Sequence, residues 1–178
     1  MTKKLIRKGK GSSPPRVPKK KTAKFLLILS VLLSLSSLTL SAEDAREKAE
    51  ELAEQQRFTE AADILLEWLT VNRENPDYFP TLLMTADLLP DVQRAKDLLE
   101  EELRTEKDRA RRYEMLSRLA LLFELSGDVE RAQRSYELAA FIRDREKDFA
   151  SFYRSAQLLL EMGEYDRAEL QARTILGA

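Results

Sequence analysis

A short pattern recurs four times between residues 42 and 178 of this 178-residue chain and limits what it can fold into. In each copy an aromatic residue or a valine is followed three positions later by an alanine. The copies are Phe58/Ala61, Val92/Ala95, Val129/Ala132 and Tyr165/Ala168. Their alanines are 34, 37 and 36 residues apart. A period of this length is typical of repeat proteins, in which each unit packs mainly against its neighbours.

The third copy predicts two amphipathic helices joined by a tight turn. Apolar or small side chains recur at intervals of three and four residues, which places them on one helix face. In the first helix these are Leu116, Leu119, Ala120 and Phe123, and in the second they are Val129, Ala132, Tyr136, Ala139 and Ala140. Gly127 suits a left-handed turn, and Asp128 is a good N-cap for the second helix. The fourth copy repeats the scheme around Gly163, with Ala156 and Ala168 as its small core residues.

The body of the chain is predicted to be all-α. Before the terminal Gly177, Gly127 and Gly163 are its only glycines, and it shows no alternating strand pattern and no Asn-Gly hairpin signal. The first two copies are more degenerate than the last two. Gln56 and Pro90 stand where the later copies have glycine, and Pro80 shortens one helix.

This arrangement resembles the tetratricopeptide repeat (TPR) family over essentially all of residues 42–176. The match is carried by Leu119, Ala120, Phe123, Gly127, Ala132, Tyr136, Ala139, Ala156, Gly163 and Ala168. The resemblance implies a right-handed α-solenoid of about four TPR-like helix-turn-helix repeats. The uncharged segment 25–42 predicts one hydrophobic helix that precedes the solenoid. The expected units are 42–75, 76–112, 113–148 and 149–178, which together form a domain over 43–178.

The resemblance also implies a binding surface. In TPR proteins the first helix of each unit lines a concave groove. By that mapping the partner-binding residues are Ser117, Arg118, Leu121, Tyr153, Arg154 and Gln157. The two arginines occupy equivalent places and suit a carboxylate or an extended peptide backbone. The competing interpretation is that they are solvated and pair with Glu114 or Glu161. The Lys and Asn set of carboxylate-clamping TPR proteins is absent from the matching places.

The composition argues against an enzyme. The chain has no cysteine and no histidine, which removes thiolate sites, disulfides and the commonest metal ligands. We find no nucleophile elbow, phosphate-binding glycine loop or metal-ligand spacing in the sequence. We therefore expect no catalytic residue, no cofactor and no metal site.

The first 42 residues are predicted to be a targeting sequence. Residues 1–24 form a basic, disordered arm with ten basic and no acidic side chains, and residues 25–42 carry no charge. This order is typical of a signal peptide cleaved near Ala42, or of a single transmembrane anchor. A buried core helix is a third interpretation. Either leading interpretation predicts an exported bacterial protein, soluble in the periplasm or anchored in the inner membrane.

The charge distribution bears on the partners. Residues 43–178 carry 20 basic and 31 acidic side chains, which favours a basic protein partner. We expect no nucleic-acid binding, because the arm lacks stacking aromatics, and membrane contact only through residues 25–42. The leading hypothesis is a protein–protein interaction scaffold that binds a peptide or protein segment in its groove. The alternative is a membrane-anchored assembly factor that oligomerises through its uncapped last repeat.

That alternative rests on the C-terminal end of the repeat array. The last unit is expected to expose an apolar strip near Tyr165, Ile175 and Leu176. The strip has three explanations: a longer natural chain, self-association, or a partner that covers it.

Overall fold

The structure, a computed structural model, describes residues 40–142 and 149–177, apart from the side chain of Ile175. The described part of the chain forms eight α-helices. They are α1 (Ala42–Glu54), α2 (Phe58–Val71), α3 (Tyr78–Leu88), α4 (Val92–Thr105), α5 (Arg109–Leu125), α6 (Val129–Ile142), α7 (Phe149–Glu161) and α8 (Tyr165–Leu176).

The helices pair into four hairpins, and each helix packs against the next one along the chain. The hairpins are α1–α2, α3–α4, α5–α6 and α7–α8. The described residues contain no β-strand, so the predicted all-α solenoid is confirmed. The predicted basic arm and nearly all of the predicted hydrophobic helix lie outside the described residues. No helix within residues 40–142 and 149–177 is long and apolar enough to cross a membrane.

Alanines allow the helices to approach closely. Ala61, Ala120, Ala132 and Ala139 are fully buried, and larger side chains such as Leu119 and Phe123 fill the space beside them. One continuous core cluster runs from Ala42 in α1 to Leu158 in α7. Because a single hairpin cannot bury its apolar face alone, this shared core is what stabilises the stack.

Three of the four hairpins close with the same turn. Gly127 and Gly163 both have φ of +78°, and Gln56 reaches +61° at the corresponding place. In the third hairpin the backbone amide of Gly127 donates to the carbonyl of Glu124 at 2.9 Å. The backbone amide of Asp128 donates to the carbonyl of Phe123, also at 2.9 Å. The other two turns repeat both bonds. These bonds satisfy carbonyls that the helix end leaves free, as in a Schellman motif.

The second hairpin turns differently because of proline. Leu89 is extended (φ −63°, ψ 117°), the conformation that a following Pro90 favours. Asp91 then caps α4 by accepting hydrogen bonds from the amides of Gln93 and Arg94. The first helix of the third hairpin, α5, begins at Arg109, and Asp108 is its N-cap. This start lies four residues before the predicted start of the third unit.

The N-terminal end of the stack is closed by residues 40–42. The Ser41 side chain caps α1 by accepting from the amide of Asp44 at 3.1 Å. The indole N–H of Trp68 donates to the carbonyl of Leu40 at 2.9 Å. Ala42 is buried in the core. Residues 40–42 are therefore part of the folded domain.

Candidate functional site

The candidate partner-binding residues lie on two equivalent helices, α5 and α7. An offset of 36 residues relates Ser117 to Tyr153, Arg118 to Arg154 and Leu121 to Gln157. The buried residues of α5, such as Leu119 and Phe123, lie on the opposite face of the helix. The six positions thus form one outward-facing row on the first helices of the third and fourth hairpins.

Two apolar side chains of this row are exposed. Leu121 is 55% and Tyr153 is 60% accessible, whereas Ser117 and Gln157 are half-buried. The Ser117 hydroxyl donates its proton to the carbonyl of Tyr113 at 2.9 Å, so that proton is already used within the helix. An exposed leucine and an exposed tyrosine can supply apolar contact area to a partner.

Arg118 bridges two hairpins. Its Nε donates to the two carboxylate oxygens of Asp87 on α3, at 3.2 and 3.3 Å. Its Nη1 donates to Glu114, one turn earlier on α5, at 3.1 Å. The guanidinium is therefore held between two carboxylates, only one of which belongs to its own helix.

Arg154, one repeat unit later, also bridges two hairpins. Its Nε donates to the carboxylate of Glu124 on α5 at 3.1 and 3.2 Å, and its Nη2 also contacts that carboxylate. Its Nη1 donates to Gln157 at 3.2 Å and lies 3.6 Å from Glu161. Tyr136 donates its hydroxyl proton to Glu124 at 2.8 Å.

Hydrogen bonds and burial together shift the pKa values of Glu124, Arg154 and Tyr136. The hydrogen bond from Arg154 holds the pKa of the Glu124 carboxyl below its usual value, even though partial burial opposes the shift. The same bond raises the pKa of Arg154. Burial, followed by the Glu124 contact, raises the pKa of Tyr136. The pair is therefore fully charged at neutral pH and joins the third hairpin to the fourth.

Sequence reasoning missed the inter-unit partners of both arginines. Both predicted pairs are present, Arg118 with Glu114 and Arg154 with Glu161. The closer contacts of Arg154 are with Glu124, however, and Arg118 also binds Asp87. Separations of 31 and 30 residues, slightly under one repeat, were the signal that could have identified these inter-unit pairs. Whether the row binds a partner stays a prediction.

A second charged cluster lies where the first three hairpins meet. Tyr78 donates to Glu102 at 2.8 Å, and Arg73 reaches the same carboxylate at 2.8 Å. Burial and the Glu102 contact raise the pKa of Tyr78 to about 12. The adjoining cleft of about 130 Å³ is also lined by Arg111, which stacks 5.2 Å from the Phe79 ring and pairs with Glu106 at 3.6 Å. These paired charges join the hairpins to one another.

The predicted core residues are placed inside the stack. Those that are buried are Leu119, Ala120, Phe123, Ala132, Tyr136, Ala139, Ala156 and Ala168. Gly127 and Gly163 occupy the exposed turns. Over residues 40–142 and 149–177, no group of three or more acidic side chains is arranged to hold a metal ion.

Comparison with known structures agrees with this architecture. A tetratricopeptide repeat protein from Parabacteroides merdae superimposes with a TM-score of 0.60 at 18% identity, over 76% of this chain and 52% of that one. This chain thus spans about half the length of that relative. MamA superimposes with a TM-score of 0.59 at 15% identity, over 89% of this chain and 91% of its own. No protein-family model matches the sequence. No curated protein matches it either. The fold of the chain is therefore that of a TPR-like solenoid.

Proposed function

We propose that the protein is an interaction scaffold that binds a segment of a partner protein along α5 and α7. This proposal rests on the exposure of Leu121 and Tyr153 on equivalent helix faces. They lie beside Arg118 and Arg154, whose side chains are held by ion pairs. An extended or helical segment gains affinity by burying such apolar side chains, at about 25 cal/mol per Å². Because Arg118 and Arg154 are already positioned, binding orders few further side chains.

The chemistry of the surface favours a basic segment. Acidic side chains flank the row, among them Asp87, Glu114 and Glu161, and the domain as a whole carries 31 acidic against 20 basic residues. Complementary charge mainly accelerates encounter and rejects acidic competitors. The apolar contacts then hold the complex together.

Site-specific photocrosslinking in cells tests this proposal on the full chain. A photoreactive residue is placed at Leu121 or Tyr153, with Leu138 on α6 as a control of equal exposure (55%). We expect crosslinks to a protein segment rich in Lys or Arg from the first two positions and not from the third. Equal crosslinking from all three positions would reject this surface as the binding site.

We propose further that the protein is exported and that the apolar segment stays attached as an inner-membrane anchor. Cleavage after Ala42 would remove the Ser41 cap and the Leu40 carbonyl that pairs with Trp68. Loss of a cap costs about 1 kcal/mol, and a buried donor left unpaired costs about 1–3 kcal/mol. These contacts support retention of residues 40–42 in the mature protein.

The intact mass of the native protein from membrane and soluble fractions tests this second proposal. We expect a membrane-bound species that includes residues 25–42. A soluble species beginning at Glu43 would exclude anchoring and leave the proposal for α5 and α7 untouched.

A further inference from the structure

The last hairpin exposes more large apolar side chains than any other hairpin, six against four in the third. Of the thirteen large apolar side chains that are exposed in the described residues, six belong to α7 and α8. They are Phe149, Tyr153, Leu160, Tyr165, Leu170 and Leu176. The second hairpin exposes none. Moreover, apart from the undescribed Ile175 side chain, α8 buries only Ala168 and Gln171.

The third hairpin shows what normally covers this surface. There α7 packs onto α6, where Gln133 donates to Ser155 at 3.0 Å and Phe141 meets Phe152 edge-on at 5.4 Å. Tyr136 and Ala140 of α6 are buried there, and Tyr136 shares a core cluster with Leu158 of α7.

The same positions are uncovered on α8. The 36-residue offset places Ala172 and Leu176 where α6 has Tyr136 and Ala140, and both are exposed. With Tyr165 they form one line along the helix, which we call the α8 stripe. Glu169, the equivalent of Gln133, lies on the same line and pairs with Arg173 at 2.6 Å. Tyr165 is 68% and Leu176 is 80% accessible.

Leu160 of α7 borders the stripe. In the third hairpin Glu124 of α5 contacts Tyr136 of α6, so their equivalents Leu160 and Ala172 are neighbours in the fourth. Leu160 is itself exposed. Within the described residues, the α8 stripe and Leu160 therefore form an uncovered, largely apolar surface.

The opposite end of the stack does not complement this surface. The exposed residues of α1 are all polar or charged, and most are acidic: Glu43, Asp44, Glu47, Lys48, Glu50, Glu51 and Glu54. A head-to-tail contact would press carboxylates against the α8 stripe and strip them of water. Open-ended stacking of hairpins through α1 is thus unfavourable.

A second α8 complements the stripe well. Asp166 and Glu169 balance Arg167 and Arg173, so this helix is neutral in a domain that is otherwise acidic. In an antiparallel pair related by a two-fold axis, Tyr165 of one copy lies opposite Leu176 of the other. The small Ala172 falls near the axis and allows close approach.

We propose that a second copy of this chain docks on the α8 stripe, with Leu160 at its margin, to form an isologous, tail-to-tail dimer. The six residues of the candidate partner-binding row lie outside the α8 stripe, so the dimer presents two copies of that row. This inference does not rest on the proposed binding function.

The absence of cysteine makes a direct test available. Single-cysteine variants Tyr165→Cys and Leu176→Cys of the full chain are oxidised separately and as a mixture, with Leu138→Cys as control. We expect the mixture to form a disulfide-linked dimer, while each variant alone and the control do so far less. Crosslinking of each variant alone at the level of the mixture would overturn the antiparallel arrangement.

Two matched arginine variants test the interface without cysteine. Ala172→Arg places a charge in the α8 stripe, and Thr174→Arg places one elsewhere on the exposed surface of the same helix. We expect Ala172→Arg to weaken dimerisation about a hundredfold and Thr174→Arg to leave it unchanged, with equal helicity by circular dichroism. A full chain that remains monomeric at every concentration, or equal effects of both variants, would overturn the proposal.

Discussion

The third hairpin and the fourth share one sequence scheme but have different surroundings. Both close through a glycine with φ of +78°, and both bury a small alanine early in the second helix, Ala132 or Ala168. In the third hairpin, α7 packs against α6, and Tyr136 is buried. In the fourth, the matching side of α8 is exposed. The comparison teaches that a repeat motif encodes the hairpin, whereas a neighbour determines which of its faces is interior.

The largest test of this comparison is deletion of equivalent core side chains. Phe123→Ala should lower the free energy of unfolding by about 4 kcal/mol, because Phe123 is buried and also contacts Lys96 and Arg131. Leu159→Ala, 36 residues later, should cost about 2 kcal/mol, because the open end relaxes around the cavity. Urea denaturation followed by circular dichroism measures both, and equal costs would contradict the difference between the hairpins.

The next effect concerns the ion pair that joins the two hairpins. Glu124→Gln should lower the free energy of unfolding by about 1 kcal/mol at neutral pH, because Arg154 and Tyr136 lose a charged acceptor. Glu161→Gln is the matched control, since Glu161 is more exposed and lies 3.6 Å from Arg154. It should have almost no effect.

The pH dependence of stability gives the same prediction an independent test. The pKa of Glu124 is lowered in the fold, so its contribution is present above the ordinary carboxyl pKa of 4.5 and is lost as pH falls below that value. The difference in unfolding free energy between wild type and Glu124→Gln should therefore shrink on acidification. A difference that is constant with pH would show that Glu124 acts by packing alone.

An effect of similar size but opposite sign is expected at Gln171 of α8. Both polar atoms of its side chain are buried and have no hydrogen-bond partner among the described residues. Gln171→Leu should raise the free energy of unfolding by about 1 kcal/mol, because a desolvated amide is replaced by an apolar group of similar size. Ser135→Ala, at the equivalent position of α6, should be neutral or slightly destabilising because Ser135 donates to the Arg131 carbonyl. Thermal unfolding would distinguish the two, and destabilisation by Gln171→Leu would contradict the prediction.

The smallest effect concerns the turn shared by three hairpins. Gln56 adopts φ of +61° where the third and fourth hairpins have glycine. Gln56→Gly should stabilise the protein by about 0.5 kcal/mol, because relief of left-handed strain exceeds the added entropy of the unfolded chain. Gln55→Gly, one residue earlier at φ of −80°, should destabilise it. If both changes destabilise, the turns are not equivalent.

Local features were the most predictable from sequence. Gly127 and Asp128 identify a turn and an N-cap because both requirements act within a few residues. Asp128 indeed accepts a hydrogen bond from the amide of Arg131 at 3.2 Å. The inter-unit partners Asp87 and Glu124 were not predicted, because a periodic pattern gives the spacing of units and not the relative rotation of their helices.

The sequence alone determined the helical hairpins, their period and the small residues that let them stack, because side-chain size and helix periodicity are local properties. Only the tertiary structure decided that Arg118 and Arg154 join neighbouring units, that residues 40–42 belong to the folded domain, and that α8 leaves an apolar stripe uncovered. Those outcomes depend on which surfaces meet across about 30 residues of chain, and burial is a property of the assembled stack.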